Sequence, residues 1–298
     1  MTNLEFAIVD AFVPKKDLRF AGNPAAVVRF PQAQAGFPSD SALAAIAVEF
    51  NAPATCFLLP HPESTANVPS YHIRYVSPHY EIPLCGHGTL ATSHLLFSEL
   101  PASVHTIRLV TRSGQIVTSR RLGDQIEFEF PLFPVHDLAD LKQQEHSTSV
   151  LQKAIPGFTA ADIASLKTAN GTDLLVELKD SVDLEALKVE TSLLENLGFK
   201  RLTLTSARPS PALPVADFQS RVFYSTGEDP VCGVAHSPLG VYWQTRLSKS
   251  ELVAYQSSGR QGRLDVIVDA AHSRIFLKGY GATVMTGTLS GAALASIL

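Results

Sequence analysis

Apolar and polar positions along the chain switch period repeatedly. Phe6-Ala7-Ile8-Val9-Asp10-Ala11-Phe12 is almost continuously apolar and predicts a buried first strand. Lys15 to Arg19 is a polar excursion. Gly22-Asn23-Pro24 then supplies turn chemistry into a second strand through Ala25-Ala26-Val27-Val28. Ser39-Asp40-Ser41 offers a helix N-cap to the Ala-rich stretch Ala42 to Phe50, which Pro53 closes. Thr55 to Leu59 and Tyr71 to Val76 read as strands on either side of a proline-bearing loop. A helix is expected from Gly86 to about Glu99. Strands follow around Thr106 to Thr111, Gln115 to Arg120 and Gln125 to Phe130, with turns at Ser113-Gly114 and Gly123-Asp124.

Pro131 to Ser147, rich in Pro, Asp, His and Gln, reads as a linker. Beyond a short segment at Leu151 to Ile155, Asp173 to Leu178 predicts a strand and Asp183 to Leu197 an amphipathic helix. Strands are expected at Leu202 to Thr205 and Asp217 to Tyr224, and a helix from Cys232 to about Trp243. Gly262 to Asp269 and Ser273 to Tyr280 form a hairpin around Ala270-Ala271-His272, and Gly287 to Leu298 a short Ala-rich helix. Strands around one central helix per half make an α+β pattern.

One stretch occurs twice. Glu81-Ile82-Pro83-Leu84-Cys85-Gly86 returns 147 residues later as Glu228-Asp229-Pro230-Val231-Cys232-Gly233, with four of six positions identical in a chain of 298 residues. A motif repeated at half the length predicts two similar halves. If the halves face each other, the two Cys-Gly turns meet across a pseudo-twofold cleft. The division is expected to give one domain of residues 1–122 plus 284–298 and another of 123–283.

Composition narrows the classes. Apolar residues are 45% of the chain, enough for proper cores, and the 17% charged fraction is too low for a disordered polyelectrolyte. A formal net charge of −4 argues against nucleic acid or an anionic membrane as partner. No apolar run approaches the roughly 20 residues of a membrane span, and the first residues lack signal-peptide blocks. Three cysteines without a CxxC pair predict reduced thiols and a cytoplasmic protein.

At the start of a helix, Cys85-Gly86 and Cys232-Gly233 meet unpaired backbone N–H groups and the positive end of the helix dipole. Such an end favours a substrate carboxylate and lowers a thiol pKa. Gly86, Gly88 and Gly233 permit close backbone approach. Cys56, within an apolar strand, reads as buried filler. Glu49, between Val48 and Phe50, is either a carboxyl raised in pKa by an apolar pocket or an exposed acid on the outer helix face, and composition favours the second. Asp229 stands where the first copy has Ile82; it is a grafted functional acid or a helix cap. His87 and His236 sit near the two helix starts, where surface or capping roles compete with proton relay. No Cys/His spacing indicates a metal, and no glycine-rich phosphate loop or GxSxG motif occurs.

Together these residues resemble a family. Asp10-Ala11-Phe12, Phe20 to Val28, Glu49-Phe50-Asn51 with Thr55-Cys56-Phe57, and Ile73 to Pro78 leading to Glu81 are similar to the phenazine-biosynthesis PhzF-like isomerases. So are Cys85-Gly86-His87-Gly88-Thr89-Leu90-Ala91, Gly227 to Gly233, Tyr255-Gln256 and Gly259 to Leu264. The resemblance spans nearly the whole chain. It implies the diaminopimelate epimerase-like fold: two pseudo-symmetric domains, each a curled, mostly antiparallel sheet around a central helix. It implies a cofactor-independent enzyme moving a proton on a small carboxylic acid, and is compatible with a homodimer.

By resemblance the acid/base carboxylate falls on Glu49, with Gly86-His87 and Asp229 as further site residues and Asn23 as a substrate contact. Cys85 and Cys232 resemble the thiol pair of diaminopimelate epimerase, which the phenazine enzyme lacks, so both chemistries are represented. Gly86-His87-Gly88 stands where the epimerase pattern has Asn, which argues against diaminopimelate as substrate. Val234 replaces a common Ser. Three readings follow: an isomerase acting through Glu49, a two-thiol racemase or epimerase using Cys85 and Cys232, and a non-catalytic small-acid-binding protein.

Overall fold

The apolar run at the start becomes strand β1, Leu4–Val13, whose residues from Val9 to Val13 are all buried. The computed structural model describes residues 3–31 and 36–294, with the side chains of the last two left out. By its contacts the chain divides into two compact units, Met1–Phe130 with Phe276–Leu298, and Pro131–Ile275.

In the first unit β1 is followed by β2 (Asn23–Arg29), helix α1 (Asp40–Phe50), β3 (Ala54–Pro60), β4 (Ser70–Val76), β5 (Glu81–Ile82), helix α2 (Gly86–Glu99), β6 (Thr106–Val110), β7 (Ile116–Leu122) and β8 (Gln125–Pro131). Strand β17 (Arg274–Leu289) returns from the far end of the chain. It pairs antiparallel with β1, which pairs antiparallel with β2. Strands β2 and β3 are parallel, as are β4 and β6; β3–β4, β6–β7 and β7–β8 are antiparallel. Because β8 also pairs with β17, the sheet curls back on itself.

Helix α2 is buried almost all round, from Gly86 through Phe97, as a helix enclosed by a curled sheet must be. Helix α1 instead buries one side, Ala42, Leu43, Ile46 and Ala47, against Val28, Phe57 and Val76. Ser39 Oγ caps it by accepting from the Ala42 amide, and Asn51 ends it in the left-handed conformation.

The second unit holds β9 (Val135–Asp137), helix α3 (Leu141–Ala154), β10 (Ile163–Ala169), β11 (Asp173–Leu178), β12 (Arg201–Ser206), β13 (Phe218–Tyr224), β14 (Gly227–Asp229), helix α4 (Gly233–Leu247), β15 (Glu251–Gln256) and β16 (Gly262–Asp269). Its pairings repeat those of the first unit. Strands β11 and β12 are parallel, as are β13 and β15, and β10–β11, β12–β13 and β15–β16 are antiparallel. Short β14 lies on β13 as β5 lies on β4. Helix α4 is the counterpart of α2, with Trp243 stacked on Phe218 at 5.5 Å and its indole N–H donating to Thr205 Oγ1 at 2.9 Å. The α+β architecture expected from the sequence is present.

Several local expectations are corrected. Pro131 to Ser147 is no linker. Val135–Asp137 pairs with β10, and Asp140 caps α3 by accepting from the amides of Lys142 and Gln143. The buried residues Ser147, Val150, Leu151 and Ala154 repeat at helical spacing, while Lys142, Glu145, His146, Gln152 and Lys153 cover the outer face. Asp183 to Leu197 forms turns and a short 3-10 helix, Thr191–Leu197, rather than one amphipathic helix. Arg221 Nη1 donates to the carbonyls of Leu184 (3.2 Å) and Leu187 (2.5 Å), acceptors that a continuous α-helix would use internally. A cut between residues 122 and 123 would run through the antiparallel β7–β8 hairpin, which the contacts keep in the first unit. The C-terminal helix is described only as Gly291–Leu294; of the rest of the stretch expected to be helical, 287–289 is the end of β17, Ser290 links the two, and 295–298 lies outside the described residues.

Candidate active site

Each unit has a candidate site of its own, at the start of its central helix. In the first, β5 delivers the chain to Cys85, which is extended (φ −127°, ψ 113°) and caps α2. Its Sγ accepts from the Gly88 amide at 3.4 Å and lies 3.4 Å from His87 Nδ1. His87 is buried, and burial pushes its imidazole down to about 4, so it is neutral near pH 7. Tyr75 Oη and Thr89 Oγ1 share a buried hydrogen bond of 2.7 Å behind the helix start. A Cβ on Gly88 would stand 2.8 Å from Cys56 Sγ and 3.2 Å from Cys85 Sγ, so only glycine fits between the two sulfurs. Cys56 is fully buried and its thiol is pushed up to about 12, in keeping with a filler role.

The other residues singled out in this unit sit differently. Gly86 is buried in the first turn of α2. Asn23 is completely buried as the first residue of β2, facing Ala11. Glu49 is exposed in the last turn of α1, on its outer face.

The helix start in the second unit is more polar. Cys232 caps α4 in an extended conformation, followed by buried Gly233. Its amide donates to Gln256 Oε1 at 2.8 Å, and Gln256 Nε2 donates to the Asp229 carbonyl at 2.6 Å, which fixes the turn between β14 and α4. The Asp229 carboxyl accepts from the Val231 amide and from the Cys232 thiol. Part of Asp229 reaches the surface, yet burial among its neighbours is the largest influence on the carboxyl and pushes it up to about 6. Burial and the Asp229 charge push the Cys232 thiol up to about 12. His236 is neutral, pushed down to about 4 by burial; its Nδ1–H donates to the Cys232 carbonyl at 2.7 Å.

Two groups near this helix start were not picked out from the sequence. Arg201, the first residue of β12, donates from Nη2 to Asp173, the first residue of β11. Its Nη1 lies 3.4 Å from Tyr224 Oη and 3.9 Å from Cys232 Sγ. Their signal was faint: a lone charge leading each of two apolar strands, indistinguishable in sequence from an exposed strand end.

Each unit thus offers a helix start suited to an anion with a cysteine at its N-cap position; the first adds neutral His87, and the second the Asp229 carboxyl, which titrates near neutrality. Among the described residues no cluster of three His, Cys, Asp or Glu could hold a metal, and no helix is long and apolar enough to cross a membrane.

Comparison with known proteins gives this geometry a context. Residues 9–287 match the family model for phenazine biosynthesis-like proteins. The chain is 33% identical over 286 residues to an uncharacterized isomerase of Halalkalibacterium halodurans, covering 95% of this chain and 97% of that one. The crystal structure of a phenazine biosynthesis protein of the PhzF family from Enterococcus faecalis superposes with a TM-score of 0.79 at 28% identity, covering 97% and 100% of the two chains. A hydroxyproline epimerase from Agrobacterium vitis, with trans-4-hydroxy-L-proline bound, shares the fold at a TM-score of 0.59 and 12% identity, over 97% and 91% of the two chains. The chain therefore belongs to the phenazine biosynthesis-like (PhzF) family of isomerases.

Proposed function

We propose that this protein is a cofactor-independent isomerase that moves a proton within a small carboxylic acid. The substrate carboxylate is held by backbone amides at the N-terminus of a central helix, and the proton-transfer groups are Glu49 and Asp229. The observation that carries this reading is the Asp229 carboxyl at the start of α4, pushed up to about 6 and so able both to hold and to release a proton near neutrality. Glu49, exposed, is open to a substrate, and its part as base comes with the family resemblance.

In the proposed step Glu49 takes a proton from a carbon whose electron pair is delocalised toward the bound carboxylate. A proton is then returned at another carbon of the same molecule, by Glu49 or by Asp229, so no redox partner is needed. Neutral His87 offers a hydrogen bond to a polar group of the substrate. Proton transfer of this kind contributes roughly 10²–10⁴-fold, and the helix ends supply the electrostatic remainder. The small amino acid bound by the hydroxyproline epimerase supports the size class of ligand.

A two-thiol racemase is the second reading, favoured by the matched helix-capping positions of Cys85 and Cys232. The elevated Cys232 thiol weighs against it, because a thiol that keeps its proton to about pH 12 is a poor base. Solvent deuterium incorporation into small α-amino and unsaturated acids, followed by NMR, separates the readings. Loss in Glu49→Gln and in Asp229→Asn with retention in Cys85→Ala/Cys232→Ala is expected. Loss only in the double thiol variant would replace this reading with the second.

A further inference from the structure

The parallel pair β2–β3 in the first unit and β11–β12 in the second begin on equivalent rows. The first row is Ala25 opposite Ala54 in one unit and Asp173 opposite Arg201 in the other. All four residues are buried, and the side chains of Arg201 and Asp173 are only 8% and 7% exposed. The fold thus accepts a small apolar pair at this place, and a buried ion pair is weak support for stability. Some other demand holds the charges there.

The surroundings of Arg201 point to that demand. Of its five N–H donors, Nη2 binds Asp173, Nη1 makes only the long contacts to Tyr224 and Cys232, and Nε is buried without a hydrogen-bond partner. A guanidinium left this under-satisfied in a buried setting is oriented by something other than the folding of its own strand. The group it faces is the start of α4, where Asp229 accepts the Cys232 thiol proton.

We propose that Arg201, held by Asp173, is a positioning residue of the isomerase: it is the counter-ion for the single negative charge shared by Asp229 and Cys232 at the start of α4. The proposal deepens the function proposed above, since it concerns the same carboxyl. The charged and titratable groups around that carboxyl are Arg201 from β12, Tyr224 from β13, Glu228 from β14 and Cys232 at the start of α4; behind them Asp173 from β11 binds Arg201, and His236 of α4 binds the Cys232 carbonyl. His236 is neutral, and burial pushes Tyr224 well above its usual range, so Arg201 is the cation of the set. Its charge pulls the Asp229 carboxyl down and opposes the effect of burial.

The test is direct titration of Asp229 in protein labelled with 13C at the aspartate carboxyls, the resonance being assigned by its loss in Asp229→Asn. Asp173→Ala/Arg201→Ala installs the pair that the first unit carries on the same row. It is expected to fold and to raise the Asp229 midpoint by on the order of one pH unit. Arg201→Lys, which keeps the charge, is expected to stay close to wild type. An unchanged midpoint in the folded double variant overturns the proposal. So does a shift in Arg201→Lys as large as in the double variant, and so does failure of the double variant to fold, which would make the pair structural. The readout needs no turnover, so it stands or falls separately from the isomerase reading. If that reading holds, the pH limb of deuterium exchange moves upward together with the midpoint.

Discussion

Arg221 grips Glu228 at two points, Nε to Oε1 at 2.8 Å and Nη2 to Oε2 at 2.9 Å. Arg74 and Glu81 make the same two bonds in the first unit, at 2.5 and 2.6 Å. Each pair ties a long strand, β13 or β4, to the short strand that leads into the Cys-Gly turn. Bidentate guanidinium–carboxylate bonds fix orientation as well as distance. Arg221→Lys keeps charge but loses the fork, and is expected to lower unfolding free energy by about 2 kcal/mol in urea titrations. A variant as stable as wild type would show that the fork is dispensable.

Gly88→Ala places a methyl group between Cys56 Sγ and Cys85 Sγ, at 2.8 and 3.2 Å, and 3.0 Å from Tyr75 Cδ1. The neighbours must move, which costs about 1–3 kcal/mol. Because Cys85 caps α2, the expected outcome is loss of small-acid binding in addition to a lower Tm, read by calorimetric titration. Unaltered binding would place the ligand away from this helix start.

Gly240→Ala is the matching control in the second unit. Its Cβ would meet Val266 Cγ1 at 2.7 Å and Ile275 Cδ1 at 2.8 Å, on the packed side of α4 rather than at its first turn. A loss of about 1–3 kcal/mol is expected, with deuterium exchange per folded molecule unchanged. A fall in exchange would mean that α4 transmits strain to its start.

Asp229 makes stability depend on pH with a defined sign. The folded carboxyl holds its proton up to about 6 against an ordinary 3.8, so its contribution is fully present below 3.8 and is lost as pH rises through about 6. Asp229→Asn removes that dependence. Relative to wild type it is expected to be more stable at pH 8 than at pH 4, by up to about 3 kcal/mol. Urea midpoints at the two pH values check this, and an equal difference at both would contradict it.

His87 and His236 act in the opposite direction. Both are pushed down to about 4 in the fold, so the stability they confer is present above 6.5 and falls as pH drops toward 4. The variant His87→Gln/His236→Gln is expected to lose less stability than wild type between pH 7 and pH 4. A steeper acid loss in the variant would refute the assignment.

The sequence made the repeat legible, because the Cys-Gly turns are local signals lying directly before two well-bounded helices. It also made α1 and α2 legible through Ser39 and the apolar stretch after Gly86. It hid α3, whose outward Gln, Glu and Lys side chains resemble a linker until the buried Val150 and Leu151 are seen. The surroundings of Asp229 were hidden for another reason: Arg201, 31 residues before Cys232, reaches it through the antiparallel β12–β13–β14 pairing, and Asp173 joins Arg201 across the parallel β11–β12 pair. Glu49 shows the converse, since a residue between Val48 and Phe50 can still face outward at a helix end.

Strand β17 joins the first unit from more than 250 residues beyond β1, the strand it pairs with. On a ribosome the first unit is therefore begun first and finished last. Until β17 emerges, one long edge of β1 carries unpaired backbone groups, exposed to any other strand nearby. The second unit, contiguous in sequence, has no such wait. The stage most open to mispairing is thus the interval while residues 131–275 are being made, when the older half of the chain still lacks the strand that covers its edge.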